Sequence, residues 1–208
     1  MIAIVEYGMG NIRSVYNAFT LLDQDVQITN EPKTLESADA IVLPGVGAFA
    51  DGMKNLREKG LLDTITKEVI DKKKPYLGIC LGLEFLAERS YEGGITDGFG
   101  WIKGTINRIE PQDIRLKVPH IGWDDTKILK PVGILKEMVL PAFYYLHSYY
   151  FKVDESQRNV ITSICDYGSV EIASSIQKDN IHAVQFHPEK SQEAGIKLLK
   201  NFIDEIRR

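Results

Sequence analysis

Pro75-Tyr76-Leu77-Gly78-Ile79-Cys80-Leu81-Gly82-Leu83 is the stretch that decides the fold. Residues 76–79 are a short apolar run after a proline, the mark of a buried strand. Leu83, Leu86 and Ala87 then recur at helical spacing. A strand that turns straight into a helix through G-x-C-x-G is the thiol counterpart of the G-x-S-x-G nucleophile elbow. So tight a turn strains the central residue's backbone and needs small neighbours. It lifts the Cys80 sulfur clear of the sheet at the strand's C-terminal end. It also sets the thiol at a helix N-terminus, where the dipole favours thiolate. The Leu81 N–H then points to where an oxyanion would form. A buried cysteine in a glycine-flanked core turn fits the same five residues, and the pentapeptide alone leaves both readings open.

Upstream, Ile2–Val5 is a β-branched run that ends in Tyr7-Gly8-Met9-Gly10. Asn11 is placed to cap a helix with Val15, Ala18, Phe19 and Leu22 on one face. Val26–Thr29 reads as a second strand. Residues 40–43 are continuously apolar, as a sheet covered on both faces requires, and the run stops at Pro44-Gly45-Val46-Gly47. A helical stretch then carries Leu56, Leu61 and Ile65 to about Lys73. Strands alternating with helices predict an α/β fold with a parallel sheet.

Downstream, residues 101–109, 143–153, 160–165, 170–176 and 182–186 read as short strands joined by turn residues. They predict antiparallel additions. Residues 191–208 form an amphipathic helix, capped by Ser191, with Leu199, Phe202, Ile203 and Ile206 as its buried stripe. Arg207 and Arg208 sit at the negative end of its dipole. No repeat, low-complexity tract or linker interrupts the 208 residues, so a single domain over 1–208 is expected.

The net charge of −4 leaves no basic footprint for nucleic acid. No apolar stretch is long enough to span a bilayer, and the first residues lack the pattern of a signal peptide. A cytoplasmic protein is expected. Cys80 and Cys165 therefore read as two thiols rather than a disulfide. Cys165 follows Ile161 and Ile164 in a strand pattern without glycines, which suits a buried structural thiol. Paired C-x-x-C or H-x-x-x-H spacing, G-x-G-x-x-G and a Walker lysine are all missing, so no metal or cofactor is expected.

A thiol nucleophile needs an imidazole, and the imidazole needs a carboxylate to fix its tautomer. Of His120, His147, His182 and His187, one stands in a setting that supplies both. His187-Pro188-Glu189 follows the strand-like Ala183-Val184-Gln185-Phe186, and Pro188 stiffens the backbone between imidazole and carboxylate. Parallel sheets carry their sites at the C-terminal edge of their strands, where Cys80 and His187 would both fall.

With these residues in place the chain resembles the class I, triad-type glutamine amidotransferases. Tyr7-Gly8-Met9-Gly10-Asn11, Leu43-Pro44-Gly45-Val46-Gly47, Pro119-His120-Ile121-Gly122-Trp123 and His147-Ser148-Tyr149-Tyr150 are further matches. They are similar to the glutaminase subunits of imidazole glycerol phosphate synthase, in the expected order along nearly the whole chain. The resemblance implies a flavodoxin-like, three-layer α/β domain with a mostly parallel central sheet. It implies L-glutamine as substrate, a Cys80 thioester, His187 as proton carrier and Glu189 as its orienter. The oxyanion would be held by the Leu81 N–H and by an N–H of the Gly45-Val46-Gly47 segment. Gly45, Gly47, Glu84, Glu92, Ser148 and Tyr149 would surround the bound glutamine. Trp123, Asp124 and Lys190 would face a (β/α)8-barrel cyclase that receives the ammonia for histidine biosynthesis.

Two departures stand out. The family usually has Gln where this chain has Glu84, and an ionised carboxylate there would oppose a Cys80 thiolate. Asp124 stands where Asn is typical. Relatives of the subunit also supply ammonia for an acetamidino group in surface-sugar biosynthesis, and altered pocket and partner residues suit such a paralogue. A cysteine hydrolase of the same architecture and a degenerate, non-catalytic subunit are the remaining alternatives.

Overall fold

Ile2, Ala3, Ile4 and Val5 are all buried, which a strand achieves when both faces of its sheet are covered. The computed structural model describes residues 1–207. In chain order the strands are β1 (Ile2–Val5), β2 (Val26–Thr29), β3 (Ala40–Gly45), β4 (Tyr76–Cys80), β5 (Arg89–Ser90), β6 (Thr96–Asp97) and β7 (Gly104–Arg108). They continue as β8 (His120–Asp125), β9 (Lys127–Ile128), β10 (Ala142–His147), β11 (Tyr149–Val153), β12 (Ile161–Tyr167), β13 (Val170–Lys178) and β14 (Ile181–Val184). The α-helices are α1 (Ile12–Thr20), α2 (Pro32–Ser37), α3 (Phe49–Glu58), α4 (Leu61–Thr66), α5 (Leu81–Glu84) and α6 (Gln192–Ile206).

An eight-stranded sheet runs in the order β2-β1-β3-β4-β14-β13-β12-β9. The first five strands are parallel and the last three join antiparallel. Alternate residues divide between its faces. Ala3, Val5, Ile41 and Leu43 face the layer of α3 and α4 with Met53, Leu56 and Ile65. Ile2, Ile4, Val42 and Leu77 face α1 and α6 with Phe19, Leu198 and Phe202. Each fully buried Val, Leu, Ile, Met or Phe side chain among them contributes about 1.5–3 kcal/mol. The expected mostly parallel sheet with antiparallel additions is present, flanked by helices on both faces. β10 and β8 form a separate antiparallel pair, and β11-β7-β5-β6 a third sheet.

Several boundaries differ from the sequence reading. The third strand does not stop at Pro44: it runs on until Gly45 pairs with Cys80. The long helix expected up to Lys73 breaks at Gly60, whose φ of +66° no helix interior adopts, and resumes as α4 and a π-turn over Lys67–Asp71. The helix after the nucleophile is the single turn α5, so the dipole at Cys80 is that of one turn. Residues 143–153 are two strands broken at Ser148, residues 101–109 shorten to β7, and β8 was not expected. Asn11 and Ser191 stand at helix N-caps, but neither side chain makes a capping bond. Arg208 lies outside the described residues.

Candidate active site

The register of three strands assembles the site. β3 and β14 both pair in parallel with β4, placing Gly45 opposite Cys80 and Val184 opposite Ile79. The segments that leave β3 and β14 therefore emerge on either side of the thiol, carrying Val46 and Gly47 on one flank and Gln185 and His187 on the other. Cys80 turns the corner with φ +54° and ψ −107°. That strained conformation is the one the elbow reading required. A Cβ on Gly82 would lie 1.9 Å from Leu43 O, and one on Gly78 2.4 Å from Gly82 O, so both flanking glycines are demanded by close backbone approach.

His187 and Glu189 form a buried pair. Each side chain is 1% exposed, and His187 Nδ1 lies 2.9 Å from Glu189 Oε1. The carboxylate accepts the Nδ1 proton, which leaves the lone pair on Nε2. That nitrogen is buried without a hydrogen-bond partner. Asn11 Nδ2 donates to the same Glu189 oxygen at 3.4 Å. The carboxylate is thus held from the first loop of the chain as well as from its own. Ser191 Oγ accepts from Tyr144 N and donates to His187 O, tying the histidine's backbone to β10.

The Cys80 thiol is at rest. Its Sγ lies 3.9 Å from Leu146 O and 3.9 Å from Gln185 Nε2. Burial, then the charges of Glu84 and Glu189, push its pKa well up, against the Leu81 N–H and the Gln185 amide, which pull it down. Glu84 is also buried, and burial moves its pKa to about 8. Gln185 Nε2 donates to it at 3.0 Å and works the other way, while Glu92 adds to the rise. Both shifts favour the uncharged forms, a protonated Glu84 carboxyl and a neutral Cys80 thiol.

A cavity of about 430 Å³ opens over the thiol, large enough for an amino acid. Val46, Gly47, Cys80, Leu81, Glu84, Glu92, Ser148 and Tyr149 of the expected set line it, with Pro119, Leu146 and His147. Glu92 Oε2 accepts from Phe49 N at 2.7 Å, holding the start of α3 as well as facing the pocket. Gly45 is not a lining residue. It is buried in β3, where a Cβ would meet Tyr7 Oη at 2.2 Å and the Leu81 Cβ at 2.8 Å. Its part is to let the elbow pack against Tyr7.

Trp123 is 47% exposed, as a partner-facing residue requires. It sits beside Tyr144 across the β8–β10 pair, and Lys190 Nζ lies 5.5 Å from the Tyr144 ring centre. Trp123 and Lys190 are thus joined through Tyr144, a residue the sequence reading did not single out. Asp124 is directed to the other face of β8, toward His120. Gln185 was also missed: it lies just past the end of β14, where its amide reaches Cys80 and Glu84.

A strained elbow cysteine, an imidazole fixed by a carboxylate and an adjoining pocket define a cysteine-dependent hydrolase on an α/β sheet. The chain belongs to the class I glutamine amidotransferase family, whose description it matches over residues 3–206. It is 46% identical over 207 residues to the imidazole glycerol phosphate synthase subunit HisH of Methanothermobacter thermautotrophicus, covering 100% of both chains. It is 44% identical over 204 residues to subunit HisH 1 of Campylobacter jejuni, covering 98% of this chain and 99% of that one. Among solved structures, PurLQS from Thermotoga maritima is similar in fold, with a TM-score of 0.73 at 18% identity, covering 98% of this chain and 97% of that one.

Proposed function

We propose that this chain is the glutaminase subunit of an imidazole glycerol phosphate synthase, a single amidotransferase domain working in the cytoplasm. The observation that carries the reading is the buried His187–Glu189 pair beside the Cys80 elbow, in a chain that matches such subunits end to end. His187 Nε2 takes the thiol proton as Cys80 attacks the carboxamide carbon of glutamine. The tetrahedral oxyanion is met by the N–H of Leu81 and by one from Val46 or Gly47. His187 returns the proton to the leaving nitrogen, and ammonia departs as the thioester forms. Water, deprotonated by His187, then cleaves the thioester to glutamate and free thiol. Glu92 faces the substrate ammonium; Gly47, Ser148 and Tyr149 face the rest of the amino acid. Glu84, protonated, takes the place of the usual amide.

The resting thiol, uncharged and bonded away from His187, supports low activity in isolation. The face of Trp123, Tyr144 and Lys190 is suited to a (β/α)8-barrel cyclase, with Asp124 at its margin. An exposed tryptophan beside a lysine-capped tyrosine is the kind of anchor such interfaces use. Glutamate release from glutamine, measured with and without the barrel cyclase and its ribonucleotide ligand, tests this. Strong stimulation is expected, and failure of the cyclase to stimulate would remove the partner assignment.

Glu84 and Asp124 favour a second reading, in which the same glutaminase chemistry feeds a sugar-modifying enzyme that builds an acetamidino group. Activity that ignores the cyclase but responds to such a synthase would select it.

A further inference from the structure

His120, Asp124 and Cys165 take no part in the proposed reaction, yet they converge between β8 and β12. His120 and Asp124 point to the same face of β8, two residues either side of Gly122, and space is open beside that glycine. Cys165 faces them from β12, 1% exposed. One donor atom from each residue lies within 4.8 Å of the others.

The hydrogen bonds assign the protons. His147 Nδ1 lies 2.7 Å from Tyr149 O; a carbonyl only accepts, so Nδ1 carries the hydrogen. The uncharged His147 ring then offers Nε2 as an acceptor, 3.1 Å from His120 Nδ1. His120 therefore donates from Nδ1 and leaves a bare lone pair on Nε2. That lone pair faces Asp124 Oδ2 at 3.4 Å. Two acceptors directed at each other want a cation between them. A proton on Nε2 is the alternative occupant; stacking between the rings of Tyr145 and Tyr167, at 4.8 and 4.2 Å, holds the imidazole plane fixed toward Asp124.

We propose that His120, Asp124 and Cys165 form a three-ligand site for a zinc-class divalent ion, its fourth tetrahedral position open to water. Bonds of about 2.0–2.3 Å to a tetrahedral zinc put neighbouring ligand atoms roughly 3.3–3.7 Å apart. The histidine–aspartate separation of 3.4 Å already has that value. The thiol needs to close by on the order of 1 Å to complete the triangle. A mixed nitrogen, oxygen and sulfur set suits zinc or cobalt and not magnesium or calcium. His147 supplies the partner that fixes the imidazole tautomer, as the neighbours of metal-bound histidines do. On binding, the Cys165 thiol releases its proton to solvent and a sulfur–metal bond forms, with no change of oxidation state. Asp124, 39% exposed, is the side from which the ion enters.

The ion would pin β8, with Trp123 on its outer face, to β12 of the main sheet. Through His120, His147 and Tyr149 it would also join the wall of the glutamine pocket.

The test is titration with Co²⁺ of the Cys80→Ser protein, in which Cys165 is the one remaining thiol. The expected result is one equivalent bound, with tetrahedral visible bands and a near-ultraviolet thiolate charge-transfer band, both displaced by Zn²⁺. Cys165→Ser on that background is expected to lose the charge-transfer band, and Asp124→Asn to weaken binding by about tenfold or more. Absence of a thiolate band at millimolar Co²⁺ overturns the proposal, as does a band that survives Cys165→Ser. If Cys165→Ser does not fold, Asp124→Asn decides, and unchanged affinity in that variant overturns it.

Discussion

Glu68 and Glu84 are both glutamates withdrawn from solvent, at 0% and 5% exposure, and their surroundings treat them in opposite ways. Glu68, in the π-turn after α4, is met by Lys72 Nζ at 2.6 Å and Lys74 Nζ at 2.8 Å. Burial alone would raise its pKa, but the two ammonium groups outweigh it and the pKa falls. Lys74 also binds the carbonyls of Leu35 and Glu36 at the end of α2, so the cluster ties two helices together. Glu84, beside the nucleophile, is met by one amide and, among the described residues, by no cation, and its pKa rises to about 8. Where a buried carboxyl holds the scaffold together it is ionised and paired. Where it lines the pocket it is kept protonated, and its charge is suppressed rather than compensated.

The largest expected effect separates the two regions outright. Cys80→Ser or His187→Asn should lower glutamate release by about a thousandfold or more while leaving the thermal midpoint within a few degrees. A variant that lost activity only in step with stability would deny that the elbow is catalytic.

Glu84 sharpens the comparison through pH. Its folded pKa of about 8 lies above the unfolded carboxyl value, so the folded state holds a proton that the unfolded chain releases. Its contribution to stability is therefore full below about pH 4.3 and is lost as pH rises through about 8, at up to roughly 1.4 kcal/mol per pH unit. The pocket admits water, so that slope is an upper bound. Glu84→Gln should flatten stability between pH 5 and 8, and should let iodoacetamide alkylate Cys80 at lower pH. Parallel urea melts and alkylation rates for the two proteins check both; identical pH profiles would mean that Glu84 is ionised at rest.

Glu68→Ala tests the other end. It leaves Lys74 partly buried without its counter-ion and should cost about 2 kcal/mol, at the modest end for a buried pair because Lys72 stays hydrated. Activity per folded molecule should be unchanged. A fall in turnover without a fall in urea midpoint would break the division between scaffold and pocket.

The smallest effect belongs to Asn11. Its 3.4 Å bond to Glu189 is long, so Asn11→Ala should slow glutamine hydrolysis by a few-fold, equivalent to about 1 kcal/mol. A steady-state rate equal to the wild type would reduce Asn11 to a loop residue.

Periodic features were legible without the fold. The apolar runs at β1, β3 and β4 and the stripe of α6 follow from side-chain period and burial, and the sequence shows both directly. Gly78-Ile79-Cys80-Leu81-Gly82 announced a strained corner because only small residues survive beside one. Element ends were less legible. Pro44 suggested that β3 stops, yet pairing with β4 carried the strand two residues further, through Pro44 and Gly45, and Gly60 broke a helix that its flanking leucines implied. β8 was missed because Gly122 and Asp124 interrupt an apolar pattern.

The chemical types present at the site, a thiol, an imidazole and a carboxylate at strand ends, were determined by the sequence alone, since each is a local pattern of residue and turn. What they touch was decided by the tertiary structure. Parallel pairing of β4 with β3 and β14 brings Gln185 between Cys80 and Glu84. Pairing of β8 with β10 sets Trp123 beside Tyr144, and packing of β8 near β12 brings Cys165 to His120. These contacts join residues between 21 and 105 positions apart, and register is a property of paired strands that neither strand's own sequence contains.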